Sequence, residues 1–124
     1  MAILGIALLV AVLEGRTWLT SFWWGLLAGI IFFFPLFDWA RVASGVLIAQ
    51  IGLAVTEALF IAVTSVLWQG LMRGPLGERT LIRAGSMAAI WVAVEQLRSS
   101  FPFGGMPWGT LAFSQVDSPL VRLA

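Results

Sequence analysis

The sequence predicts an all-α fold, a polytopic transmembrane bundle of about four helices that ends in a Gly/Pro/aromatic external loop. Three observations carry this expectation. The 124 residues are 60% hydrophobic and only 10% charged, whereas soluble domains run at about 45–50% apolar and about 25% charged. Apolar runs of helical length follow one another with short polar breaks between them. The stretch "FPFGGMPWGTLAFSQ", Phe101 to Gln115, then turns to Gly and Pro while keeping its aromatic residues.

The first run, Ala2 to Leu13, would extend only about 18 Å as a helix. That falls short of the hydrocarbon core, which takes about 20 residues to cross. No basic stretch precedes it and no small-residue cleavage site follows, so it does not read as a signal peptide. It reads as the end of a span whose beginning is missing, which makes the chain a piece of a longer protein.

Thr17 to Phe37 has the full length of a span. Trp18, Trp23 and Trp24 stand near one end and Trp39 just past the other, as interfacial aromatic residues do. Ser21, Gly25 and Gly29 recur every fourth residue and form a strip that lets a second helix approach closely. Pro35 falls in the last turn, where the helix is ending in any case.

Val42 to Met72 is an apolar run of roughly 46 Å as one helix, long enough to tilt or project from the bilayer. Gln50, Glu57 and Thr64, seven residues apart, form one polar stripe along it. A carboxylate in hydrocarbon is costly, so Glu57 is expected to face the bundle interior or to be protonated. It is either a ligand- or proton-handling group or a hydrogen-bonded packing contact. Ala54, Ala58 and Ala62 make a small-residue strip on a neighbouring face. After a Gly-Pro loop at Arg73 to Arg79, a further helix is expected from Thr80 to about Ser100, with Gly85, Ala89 and Ala93 as its own strip. Trp91, Glu95 and Arg98 share a face there, and Glu95 and Arg98 are spaced to pair.

The residue types narrow the chemistry. There is no Cys, His, Lys, Tyr or Asn. This excludes disulfides and a thiol nucleophile, the usual zinc ligands, and both Ser-His-Asp and Cys-His arrangements. No metal, cofactor or catalytic residue is expected within the chain. A formal charge of +1 gives no sign of a nucleic-acid partner. Arg16, Arg73, Arg79 and Arg83 fall on one side of the bundle and Arg41, Arg98 and Arg122 on the other, which points the Arg73–Arg83 loop towards the cytoplasm.

The segment "WVAVEQLRSSFPFGGMPWGTLAFSQVDSPLVRLA", Trp91 to Ala124, resembles the membrane part of apolipoprotein N-acyltransferases. Glu95, Arg98, Gly105, Pro107, Trp108, Gln115, Ser118, Pro119 and Leu120 fit that family's pattern in order. "GLLAGIIFFFPLFDW", Gly25 to Trp39, is similar to its Gly-x-x-x-Gly, paired-Phe helix. The resemblance implies that residues 1–124 are an N-terminal transmembrane domain in the bacterial inner membrane. It also implies an enzyme that moves an acyl chain from a phospholipid to the N-terminal Cys amine of a diacylated lipoprotein. The Glu, Lys and Cys of that chemistry belong to an external hydrolase-like domain, so the residues here are expected to be inactive alone. By the same resemblance, Glu95, Arg98, Phe103, Pro107, Trp108, Gln115 and Trp39 are lipid-side or substrate-side candidates, with Arg98 the cation available to a lipid phosphate. Two other readings stay open. The helices could anchor a polyprenol-phosphate mannosyltransferase, or Gln50 and Glu57 could line the path of a small transporter.

Overall fold

A computed structural model describes residues 2–75 and 79–101. Five helices follow in order among them: α1 (Ala2–Leu13), α2 (Trp18–Leu36), α3 (Asp38–Ser44), α4 (Leu47–Arg73) and α5 (Thr80–Arg98). No strand occurs among these residues. Four are the helices expected; the fifth, α3, joins residues 38–41, which precede the third apolar run, to the first three residues of that run.

The boundaries have local causes. Thr17 caps α2, and its hydroxyl and that of Thr20 each bond the other residue's backbone N–H. Reciprocal bonds of this kind satisfy amide groups that a helix start leaves open. Glu14, Gly15 and Arg16 connect α1 to α2, with Gly15 at φ 73°. The expectation of one unbroken helix from Val42 to Met72 is corrected at Gly45. Gly45 closes α3 in the left-handed conformation, at φ 72°, which a residue without Cβ adopts readily. Ser44 secures the break, since its hydroxyl donates to the Ala40 carbonyl and accepts from the Val46 N–H. The long helix therefore begins at Leu47 and runs 27 residues.

α2 and α4 are each long and apolar enough to cross a membrane. They pack antiparallel along the two small-residue strips. A Cβ added to Gly29 would stand 2.6 Å from the Cα of Ala58, and one added to Gly25 would stand 2.8 Å from the Cα of Ala62. Both are closer than real carbon contacts, so glycine is required for this approach. Ser21, Gly25, Gly29 and Phe33 are the buried residues of α2, facing buried Ala54, Ala58, Ala62 and Ser65 on α4. Lipid tails are as apolar as leucine, so the gain at this seam comes from backbone proximity and close packing, not from leaving water.

α5 packs against α4. The buried Trp68 indole N–H donates to the Met87 carbonyl at 3.0 Å, and its ring stacks on Trp91 with centroids 5.7 Å apart. Leu9 and Leu13 of α1 complete this cluster with Trp68 and Met87. The strip of Gly85, Ala89 and Ala93 faces outwards, with nothing within 4 Å of a Cβ placed on Gly85.

Candidate functional site

The polar stripe of α4 is buried along its whole length: Gln50, Glu57 and Thr64 are each no more than 3% exposed. Its members act differently. Thr64 turns back on its own helix, donating to the Phe60 carbonyl at 2.8 Å. Gln50 reaches across to α2, where its amide donates to the Phe34 carbonyl at 2.8 Å. That carbonyl lies in the last turn of α2, where helical acceptors lack intrahelical donors. Glu57 reaches to α5.

Arg98 Nη1 stands 2.7 Å from the Glu57 carboxylate, and the two side chains are 4% and 2% exposed. The guanidinium also lies over the ring of Phe33, 5.4 Å from its centroid, within the range of a cation–π contact. One cation thus ties three helices together, with a carboxylate from α4, a ring from α2 and its own backbone on α5. Glu95, the partner expected from spacing, stands at 4.0 Å from Nη2 and is the more exposed of the two carboxylates. The pair expected from spacing is therefore present, and a second, closer carboxylate 41 residues distant joins it.

The register of α4 against α5 sets the depth of this pair. Trp68 meets Met87 and Glu57 meets Arg98, so the same eleven-residue step separates the two contacts along each helix, in antiparallel sense. α4 extends from Glu57 back to Leu47, about 15 Å of helix at 1.5 Å per residue. α5 stops at Arg98, so the chain leaves its helix alongside the interior of α4 and well short of that helix's end. The Ser99 and Phe101 N–H groups close this terminus on the Glu95 and Leu97 carbonyls.

Among the remaining candidates, Trp39 sits on α3, beyond the end of α2, and is half-exposed. Phe103, Pro107, Trp108 and Gln115 lie outside the described residues. Sequence reasoning did not find Phe33 as a partner of Arg98, nor Gln69 and Arg73 of α4, which both donate to the Arg16 carbonyl at the opposite end. The seven-residue step on α4 identified Glu57 as inward-facing, but no local signal names the group it meets.

No solved structure matches the chain. The family model for the apolipoprotein N-acyltransferase N-terminal domain matches residues 1–124. The match runs the length of the chain, and this chain belongs to the apolipoprotein N-acyltransferase N-terminal domain family.

Proposed function

We propose that residues 1–124 form one domain, the membrane-embedded, lipid-side part of an enzyme that transfers an acyl chain from a phospholipid to the N-terminal Cys amine of diacylated lipoproteins. The family match along the chain carries this reading. The domain spans the bacterial inner membrane several times, with the Arg73–Arg83 side in the cytoplasm. The chain holds neither Cys nor Lys, so a thioester route would draw its nucleophile from an external hydrolase-like part, and residues 1–124 alone would be inactive.

The depth of Arg98 supports a lipid-side role. The chain leaves α5 beside the interior of α4 and continues into a Gly/Pro/aromatic stretch. Backbone that has left a helix within the membrane is tolerated where it is buried in protein or lines a cavity. Glu95, at the rim of the Arg98 junction, and the apolar groups of Phe103, Pro107 and Trp108, with Gln115, are the candidates to meet phospholipid and lipoprotein there. Arg98 itself is occupied by Glu57 and Phe33, so its first contribution is to hold the exit of α5 in place.

The test is mass spectrometry of a reporter lipoprotein in cells depleted of their own N-acyltransferase. An acyltransferase carrying this domain should add one acyl chain to the reporter's N-terminal peptide, and residues 1–124 alone should add none. A reporter left diacylated by the complete enzyme would overturn the proposal.

A further inference from the structure

One end of the bundle is built from the α1–α2 connection, the end of α4 and the start of α5, and it collects arginines. Arg73 Nη2 donates to the Arg16 carbonyl at 2.6 Å, which brings the last guanidinium of α4 onto the segment bearing Arg16. Arg83 Nη1 stands 3.8 Å from Glu14, two residues before Arg16. Arg79 lies one turn from Arg83, whose N–H bonds the Arg79 carbonyl at 2.8 Å. Arg16, Arg73 and Arg79 are exposed and Arg83 is half-buried.

The counter-charge is sparse. Glu14 is the carboxylate at this end among the described residues, and its contact with Arg83 is long and solvent-facing, a geometry worth little. The sequence adds Glu78 beside Arg79, which still leaves arginine in excess. Towards the opposite end, among the described residues, the balance reverses. Arg41 holds Asp38 at 2.9 Å, and Arg98 is buried on Glu57 with Glu95 nearby. Exposed positive charge therefore gathers on one side.

Trp18, Trp23 and Trp24, all exposed, lie in the first turns of α2 at this same end. Indole rings in such a position lie at headgroup depth. The guanidiniums stand beside that belt, and their planar forks match phosphate oxygens. We propose that this end is a binding surface for anionic phospholipid headgroups, with Arg16, Arg73, Arg79 and Arg83 contacting the phosphodiester. This inference does not depend on the acyl-transfer reading.

The test is thermal unfolding of the purified chain in zwitterionic micelles, followed by tryptophan fluorescence. Dioleoylphosphatidylglycerol, dioleoylphosphatidylcholine and inorganic phosphate are titrated separately, because a ligand of the folded state raises Tm. Phosphatidylglycerol should raise Tm well above the other two, and about 0.5 M salt should reduce the gain through screening. Arg79→Gln with Arg83→Gln should weaken the apparent phosphatidylglycerol affinity by roughly fivefold per guanidinium removed, while Arg41→Gln at the opposite end leaves it unchanged. Equal responses to the two lipids, or an unchanged response in the double variant, would overturn the proposal. So would inorganic phosphate reproducing the full shift, which assigns a site for free anions. Should the double variant not fold, the salt dependence of the unaltered chain decides, and a gain insensitive to salt overturns the proposal.

Discussion

Arg98 on α5 and Glu57 on α4 form a buried ion pair at 2.7 Å, with the guanidinium resting over Phe33 of α2. An unpaired charge at this position would have to be held in an apolar surrounding. Truncating one partner of a buried pair typically costs about 3–5 kcal/mol, because the other charge is left uncompensated. Glu57→Gln and Arg98→Gln should each destabilise the fold by an amount in that range. The double variant should cost clearly less than the two combined, as expected for groups acting as a unit. Unfolding of all three variants in mixed micelles checks this, and simple additivity would show that the pair is not coupled.

The α2–α4 seam gives a second expectation. Gly29→Val places carbon where the Ala58 backbone already stands, and overpacking of this kind costs about 1–3 kcal/mol. Gly85→Ala has open space around it and should be neutral or stabilising by up to about 1 kcal/mol through helix propensity. Different outcomes at these two helical glycines, read in the same unfolding assay, would separate close approach from mere composition.

Gly45 is a third case. Its φ of 72° costs a residue with a Cβ about 1–2 kcal/mol, although no neighbouring atom crowds the position. Gly45→Ala should therefore destabilise through backbone strain alone. Gly45→Asn should recover part of the loss, since Asn visits this conformation more readily. Equal stability of both variants with the parent would mean that α3 and α4 can merge into one helix.

Orientation can be tested cleanly because the chain contains no cysteine. Single substitutions Gly74→Cys and Ser44→Cys mark opposite ends of α4. In intact inner-membrane vesicles of right-side-out orientation, a membrane-impermeant maleimide should label position 44 and spare position 74. The reverse pattern would place the arginine-rich end outside and contradict the proposed topology.

Much of the fold was legible because its signals are local. The apolar run of α2 and the four-residue spacing of Ser21, Gly25 and Gly29 lie within one segment. The seven-residue recurrence of Gln50, Glu57 and Thr64 likewise marked a single inward face of α4. What was not legible depended on partners distant in the chain. Spacing identified Glu95 as a partner of Arg98, which it is, but only the antiparallel register of α4 and α5 adds the closer Glu57. Three small-residue strips look alike in sequence, yet those of α2 and α4 meet while that of α5 faces outwards. The break at Gly45 escaped notice because an isolated glycine in an apolar run does not disclose its φ.

The closeness of α2 and α4 has a calorimetric consequence. Heat capacity rises on unfolding when apolar surface meets water, but helices parting within a bilayer expose their surfaces to acyl chains. Separation of the Gly25–Ala62 and Gly29–Ala58 contacts therefore carries almost no heat-capacity change. The stability of this seam should vary nearly linearly with temperature, without the curvature and cold-side weakening of a water-soluble core.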